Sequence, residues 1–282
     1  MTTVHEQPEK QLFAESFGEG PGHGRLDGRK ILVVGAGQRG DTDSTAVMGN
    51  GRGISRTFGR EGAHVACADM NADAAAAVVA EITDAGGKAT PITADVSVPE
   101  DVTRMVAESA AAMGGLDGIV LNVGISGTPA GLQGQTVERW DRAFAINLRS
   151  HMLTCQAALP ILAPGASIIF ISSAAAIRPG GNKPDYDTSK AALGGLMRHV
   201  AMEGEPLGIR ANVLLLGMVD TPMGAAASAA NPNRSKRWIP FGRQATAWET
   251  GNTALFLMSH EAAYVNGHIL VMDGGRTTIR NT

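Results

Sequence analysis

Seven short runs recur along the chain in which nearly every position is apolar: KILVV (30–34), AHVACA (63–68), ATPITA (89–94), GIVLN (118–122), ASIIFIS (166–172), RANVLLL (210–216) and HILVM (268–272). A strand with one wet face alternates apolar and polar residues. An unbroken apolar run of this length suits a strand covered on both faces. Between the runs lie helical stretches, 72–85, 99–113, 136–159, 186–203 and 246–258. Strand and helix in alternation predict an α/β fold, a doubly wound parallel seven-stranded sheet with helices on both faces. No linker-like break interrupts residues 28–276, so they read as one domain, followed by a short tail, 277–282.

The remaining composition excludes several classes. The 282 residues carry a net charge of −3 and only 4% aromatic residues, which argues against nucleic-acid partners. Cys67 and Cys155 form no paired motif, and the seven histidines show no ligand spacing, so no metal is expected. The N-terminus lacks the apolar core of a signal peptide, and no apolar run reaches the ~18 residues of a membrane helix. The expectation is a cytoplasmic protein without a membrane partner. Residues 1–27, polar and glycine-rich, read as a flexible arm, either a disordered leader or a segment docking on a neighbouring subunit.

The first apolar run passes straight into Gly35-Ala36-Gly37, and the second ends at Asp69. Glycine there lets the backbone turn tightly and approach a pyrophosphate, with the next helix N-terminus supplying N–H groups. An acid after the second strand accepts the hydroxyls of an adenosine ribose. Gly35 and Asp69 are 34 positions apart, against about 20 in the usual pattern. The excess is an insertion, 38–51, read as a binding loop in which Arg39, Ser44 or Thr45 reaches the phosphates. The helix behind it is expected to start near Gly53, with Ile54 and Phe58 on its buried face.

Further on, Tyr186 and Lys190 stand at i and i+4, on one helix face. A phenol titrates near ~10. A neighbouring ammonium favours the phenolate, and bringing it to neutrality takes about 4 kcal/mol. Ser173 lies thirteen residues upstream, just past the fifth run, at the sheet edge where ligands bind in such folds.

Taken together, these motifs resemble the short-chain dehydrogenase/reductase family over roughly Gly28 to Gly275. Its glycine turn is matched by Gly35, then Gly53, with Ser55 in place of a third glycine. Asp69, followed by Met70, matches its acid, Asp95-Val96 its adenine contact, and Asn122-Val123-Gly124 its turn after the fourth strand. Gly217, Val219 and Thr221 match the segment before the nicotinamide site, with Leu216 where the family has proline. The resemblance implies a Rossmann fold and reversible hydride transfer between a nicotinamide cofactor and a secondary alcohol or ketone. It implies Asn147, Ser173, Tyr186 and Lys190 as the catalytic set. Ser173 would hold the substrate oxygen, Tyr186 exchange the proton, Lys190 lower the phenol's pKa and bind the ribose, and Asn147 place a relay water. Gly35, Gly37, Arg52, Gly53, Ile54, Asp69, Met70, Asp95, Val96, Asn122, Val123, Gly124, Tyr186, Lys190, Gly217, Val219 and Thr221 are the candidate cofactor contacts. NAD is expected over NADP, because a 2′-phosphate about 5 Å from the Asp69 carboxylate costs a few kcal/mol at an effective dielectric near 20. Arg52 pulls the other way, since NADP-using relatives hold that phosphate with a basic residue at this position. Homotetramers are common in the family and are expected here.

The substrate is less legible. Residues 222–241 stand where relatives carry a lid, and Met223 and Trp238, with Ser173 and Tyr186, are the candidate substrate contacts. Arg178 and Asp185 flank the entrance, and Arg234, Lys236 and Arg237 form a basic cluster. The AAASAA stretch, 225–230, reads as mobile. The leading reading is an NAD-dependent dehydrogenase of a small secondary alcohol, with cyclic alcohols among the candidates. A 3-oxoacyl-thioester reductase using NADPH is the alternative, and a dinucleotide-sensing regulator a third.

Overall fold

The computed structural model describes residues 12–38, 47–179, 181–230 and 239–279. One parallel sheet takes up the strands β1 (Lys30–Val34), β2 (His64–Asp69), β3 (Lys88–Thr93), β4 (Gly118–Leu121), β5 (Ser167–Ser173), β6 (Arg210–Leu216) and β7 (Ile269–Met272). Their spatial order is β3-β2-β1-β4-β5-β6-β7. β1 therefore pairs with β2 on one side and β4 on the other, Val33 standing opposite Cys67 and Val120. The chain reverses its direction of winding between these neighbours, which opens a crevice at the carboxyl ends of β1 and β4.

The unbroken apolar runs have a direct cause. On one face Leu32, Val34, Ile119, Leu121, Ile168 and Phe170 pack with helices α3 (Pro99–Met113), α5 (Ser150–Ala158) and α6 (Pro184–Gly204). The alternate residues Ile31, Val33, Val120, Ile169 and Ile171 pack on the other face with α1 (Asn50–Arg60), α2 (Ala72–Asp84) and α8 (Ala247–Met258). In β1, β2, β4, β5 and β6 consecutive residues are buried, so no polar alternation survives, whereas the edge strands β3 and β7, expected to be covered on both faces, are only partly buried because each has a neighbour on one side alone. The remaining helices are α4 (Val137–Phe144) and α7 (Pro222–Ala230).

Helix limits follow local chemistry. Asn71 caps α2 by accepting from Asp73 and Ala74 N–H, and Thr246 and Glu249 form a reciprocal capping box on α8. Arg210 reaches the far end of α8 and donates to the Leu257 and Ser259 carbonyls at 2.9 and 3.2 Å. α1 and α8 cross closely. A Cβ on Gly53 would lie 2.6 Å from the Ala247 carbonyl oxygen.

Four expectations are corrected. α1 begins at Asn50, three residues before Gly53, because the glycines there bring the helix into contact with the turn after β1. The stretch 136–159 is not one α-helix: a π-helical turn, Ala145–Arg149, separates α4 from α5. The alanine run that read as mobile lies within helix α7; Thr221 Oγ1 accepts the Gly224 N–H at its start, and alanine has the highest helix propensity.

The fourth correction concerns the stretch 1–27: residues 1–11 lie outside the described residues, and residues 12–27 are not a loose leader. Their turn Ala14–Phe17 lies on the chain's own α8. Ser16 Oγ donates to Glu249, Thr246 Oγ1 to the Ser16 carbonyl and Asn252 to the Glu15 carbonyl. Farther on, Glu61 accepts the His23 and Arg25 N–H groups at 3.0 and 3.1 Å, and Leu26 enters the core. Burial alone would raise the Glu61 pKa, but those N–H bonds and the Arg25 guanidinium hold it below the usual carboxylate range.

Candidate active site

The crevice is floored by glycine. Gly35 takes φ of 80°, a turn that disfavours other residues, and both Gly35 and Ala36 donate to the Ala68 carbonyl at the end of β2. Asn122 Nδ2 donates to the Gly35 carbonyl at 2.7 Å, tying the end of β4 to this turn. A Cβ on Gly51 would collide with the same carbonyl. Gly51 thus lets the first turn of α1 lie on the loop, a role the sequence reading gave to no residue. The N-cap of α1, Gly49, offers no side-chain acceptor, which leaves the first N–H groups of the helix free of a side-chain cap.

Asp69 stands at the crevice rim. Its Oδ2 accepts the Gly37 N–H and its Oδ1 the Asn71 N–H, both at 3.0 Å. Met70 beside it is exposed. Asp95 accepts the Ser97 N–H and hydroxyl at 2.9 and 2.7 Å, while Val96 points into the core. The side chain of Ile54 is fully buried, and Gly53 backs onto α8, so these two meet the packing beneath the loop. Arg52 is also buried and is held by Glu81 and Gln38. Arg39, Ser44 and Thr45 lie outside the described residues. Glycine backbone, uncapped helix N-terminus and rim carboxylate fit the pyrophosphate and ribose of a dinucleotide.

The second half of the site is where α6 meets β5. Ser173 is the last residue of β5, and its Oγ accepts the Ala175 N–H. Tyr186 and Lys190 lie in the first two turns of α6, which Pro184 opens. Lys190 is buried; its Nζ donates to the Ile171 carbonyl at 3.0 Å, and Ser172 Oγ donates to the Lys190 carbonyl at 2.9 Å. These bonds draw the start of α6 onto the end of β5. Loss of water around the ammonium pushes the Lys190 pKa down to about 8. Nζ also sits against the turn after β4, 3.1 Å from where a Cβ on Gly124 would be.

Asn147 lies in the π-helical turn and is fully buried. Its side chain holds the Ile125 N–H at 2.8 Å and the Ile125 carbonyl at 3.1 Å, and donates to Ser189 Oγ at 3.0 Å. Ser189 in turn donates to the Tyr186 carbonyl. The side chain thereby clamps the turn after β4 to α6. His151, one turn on and absent from the sequence expectations, brings Nε2 to 3.3 Å from the Val123 carbonyl. Burial, with the Lys190 charge adding, pushes its pKa down to about 3, so the imidazole is neutral and Nε2 carries the proton.

After β6, Gly217 donates to the Met272 carbonyl, and a bridge between Val219 and Ala245 fixes the path to Thr221. Apolar side chains stand open on three successive segments past the sheet edge: Leu132 after β4, Ile177 after β5 and Met223 after β6. Loops 126–131 and 182–185 are stitched together by Lys183 Nζ to Ser126 Oγ at 2.6 Å and Gly131 N–H to the Asn182 carbonyl at 3.0 Å. Asp185 is buried and accepts the Tyr186 N–H, whereas Arg178 is exposed. Trp238, Arg234, Lys236 and Arg237 lie outside the described residues. Among the described residues no group of acidic, histidine or cysteine side chains has a metal-holding arrangement, and no helix is long and apolar enough to cross a membrane.

Comparison with known proteins agrees with this fold. A family model described as enoyl-(acyl carrier protein) reductase matches residues 46–277. The chain is 32% identical over 253 residues to a 2,5-dichloro-2,5-cyclohexadiene-1,4-diol dehydrogenase of Sphingobium indicum, covering 89% of this chain and 97% of that protein. It is 33% identical to 3beta-hydroxysteroid dehydrogenase 1 of Eggerthella lenta, covering 89% and 95%. A short-chain dehydrogenase of Burkholderia cenocepacia, solved in complex with NADP, superposes with a TM-score of 0.82 at 31% identity, covering 90% of this chain and all of that one.

Proposed function

This chain belongs to the short-chain dehydrogenase/reductase family, NAD(P)-binding oxidoreductases that act on secondary alcohols, and on that premise we propose that it oxidises a ring-borne, largely apolar secondary alcohol with NAD, through Ser173, Tyr186, Lys190 and Asn147. The observation that carries the reading is the anchoring of a buried Lys190 ammonium to the end of β5, one helical turn from Tyr186 and two residues from Ser173 along the strand.

The glycine turn at Gly35 and Gly37, the N-terminus of α1 and the Asp69 carboxylate would hold the dinucleotide's phosphates and adenosine ribose. Asn122, Val123 and Gly124, with Gly217, Val219 and Thr221, would flank its nicotinamide end. A bound cofactor would supply a nicotinamide ring as the acceptor of the hydride that leaves the alcohol carbon. The protein's residues do the rest. The Ser173 hydroxyl donates to the substrate oxygen and fixes it. The Tyr186 phenolate takes the hydroxyl proton as the carbonyl forms. An ammonium one helical turn from that phenol favours the phenolate. With a pKa of about 8, Lys190 is mostly an ammonium at pH 7 and fills this role. Asn147 keeps the turn after β4 against α6, so that Gly124 and Lys190 stay in register.

The substrate class follows from the open Leu132, Ile177 and Met223 side chains, which favour an apolar ring over a charged thioester. It agrees with the cyclic alcohols named for the Sphingobium and Eggerthella relatives. The further proposal of a homotetramer has its candidate contact in the groove between α4–α5 and α6, bordered by Phe144, Leu148, Met152 and Leu196, which a second copy would cover. The test is a panel of cyclic alcohols with either cofactor, read at the nicotinamide absorbance. Tyr186→Phe is expected to lose at least 10²-fold in kcat with an unchanged melting temperature. Near wild-type turnover in that variant would defeat the assignment.

A further inference from the structure

Arg52 and Asp69 put opposite demands on a nucleotide, and a third residue decides between them. Arg52 lies in the first turn of α1 and is 5% exposed. Its Nε and Nη2 meet the two oxygens of Glu81 on α2 at 2.9 and 2.5 Å, fork against fork. The remaining nitrogen, Nη1, donates to Gln38 Oε1 at 3.3 Å, and the same oxygen accepts the Gly49 N–H at 3.0 Å. Gln38 follows Gly37, whose N–H is held by Asp69. The guanidinium is thus connected to Asp69 at two links, through Gln38 and Gly37. Arg56, one turn along α1, also reaches Glu81, at 3.4 Å.

We infer that Glu81 is a specificity-determining residue for the cofactor: by occupying the Arg52 fork from outside the crevice, it withdraws the cation that a ribose 2′-phosphate would need. The inference rests on the reading that Asp69 receives the adenosine ribose. A 2′-hydroxyl needs only an acceptor, and Asp69 is one. A 2′-phosphate brings about two negative charges beside Asp69 and needs a free guanidinium. Arg52 can supply it only by breaking a bidentate, charge-assisted pair, which leaves the Glu81 carboxylate with Arg56 alone. Gln38 reinforces the arrangement, because the oxygen that takes the third nitrogen also closes the base of the insertion onto Gly49. A neutral glutamine at position 81 keeps the shape and one acceptor, and removes the charge that holds the fork.

The test is calorimetric titration of the full-length protein with adenosine 5′-monophosphate and adenosine 2′,5′-bisphosphate, which needs no turnover. Wild type is expected to prefer the monophosphate. Glu81→Gln should shift the affinity ratio toward the bisphosphate about 10-fold, and Arg52→Met added to Glu81→Gln should abolish the shift. Arg52→Met alone should leave the ratio where wild type has it, because the fork is already withdrawn; this arm reads out even if Glu81→Gln fails to fold. An unshifted ratio in folded Glu81→Gln, a shift that persists in the double variant, or a lower bisphosphate preference in Arg52→Met would each overturn the inference. Wild type that binds neither nucleotide would overturn the dinucleotide reading itself, whereas wild type that binds the monophosphate beside an unshifted Glu81→Gln ratio sinks only the role of Glu81.

Discussion

Replacing Lys190 by methionine should stabilise the cofactor-free protein while removing its activity. Burial pushes the Lys190 pKa from the usual 10.5 to about 8. Below pH 8 the ammonium is protonated in both the folded and the unfolded chain, and the folded state carries the full cost of burying it. The difference between the two pKa values corresponds to about 3 kcal/mol. Between pH 8 and 10.5 the folded state has released its proton and the unfolded chain still holds one, so the cost fades and wild-type stability rises with pH. Methionine has similar length and no charge. It forfeits the bond to the Ile171 carbonyl, about 1 kcal/mol. The net expectation is a gain of about 2 kcal/mol at pH 7 that shrinks and turns into a loss of about 1 kcal/mol near pH 10.5. Urea unfolding followed by circular dichroism at pH 7, 8.5 and 10, at one protein concentration and without dinucleotide, measures it. A Met variant less stable than wild type at pH 7, or an offset indifferent to pH, would refute the reasoning. A residue that costs stability in the free protein and is nonetheless retained fits a site kept for its chemistry.

Two further outcomes are expected. Gly37→Ala would place a Cβ 2.7 Å from Asp69 Oδ2 and 2.8 Å from the Ala74 Cβ, so calorimetry should show adenosine 5′-monophosphate binding about 10-fold weaker, with about 1–2 kcal/mol of lost stability. Arg210→Met removes the donor to the Leu257 and Ser259 carbonyls at the end of α8 and to the Val265 carbonyl ahead of β7; thermal unfolding should show a loss of about 3 kcal/mol, and an unchanged melting temperature would deny those bonds their role.

The strands were legible because burial on both faces leaves its mark on consecutive residues, and β1 and β6 fall where the apolar runs begin and end. Ser173 could be placed at a strand end, and Tyr186 and Lys190 on one helix face, for the same local reason. What escaped was non-local or lacked a pattern of its own. The π-helical turn under Asn147 interrupts no apolar periodicity, since it shifts backbone bonding and not side-chain type. The start of α1 carries no capping side chain, so its glycines read as loop. Residues 12–27 are held by Glu61 and Glu249, and Arg52 by Glu81, partners that no local window contains. The alanine run was misjudged by weighing its simplicity above its helix propensity.

The close crossing of α1 and α8 has a consequence for how the molecule is made. A nascent chain that has released β1 and α1 from the ribosome still lacks the surface that covers Gly53 and helps to bury Ile54 and Phe58, because Ala247–Met258 are synthesised only after β2 to β6. The half of the sheet built around α1 therefore waits in an unfinished, apolar-surfaced state for α8, and a product released before Ala247 never completes the wall behind the turn after β1.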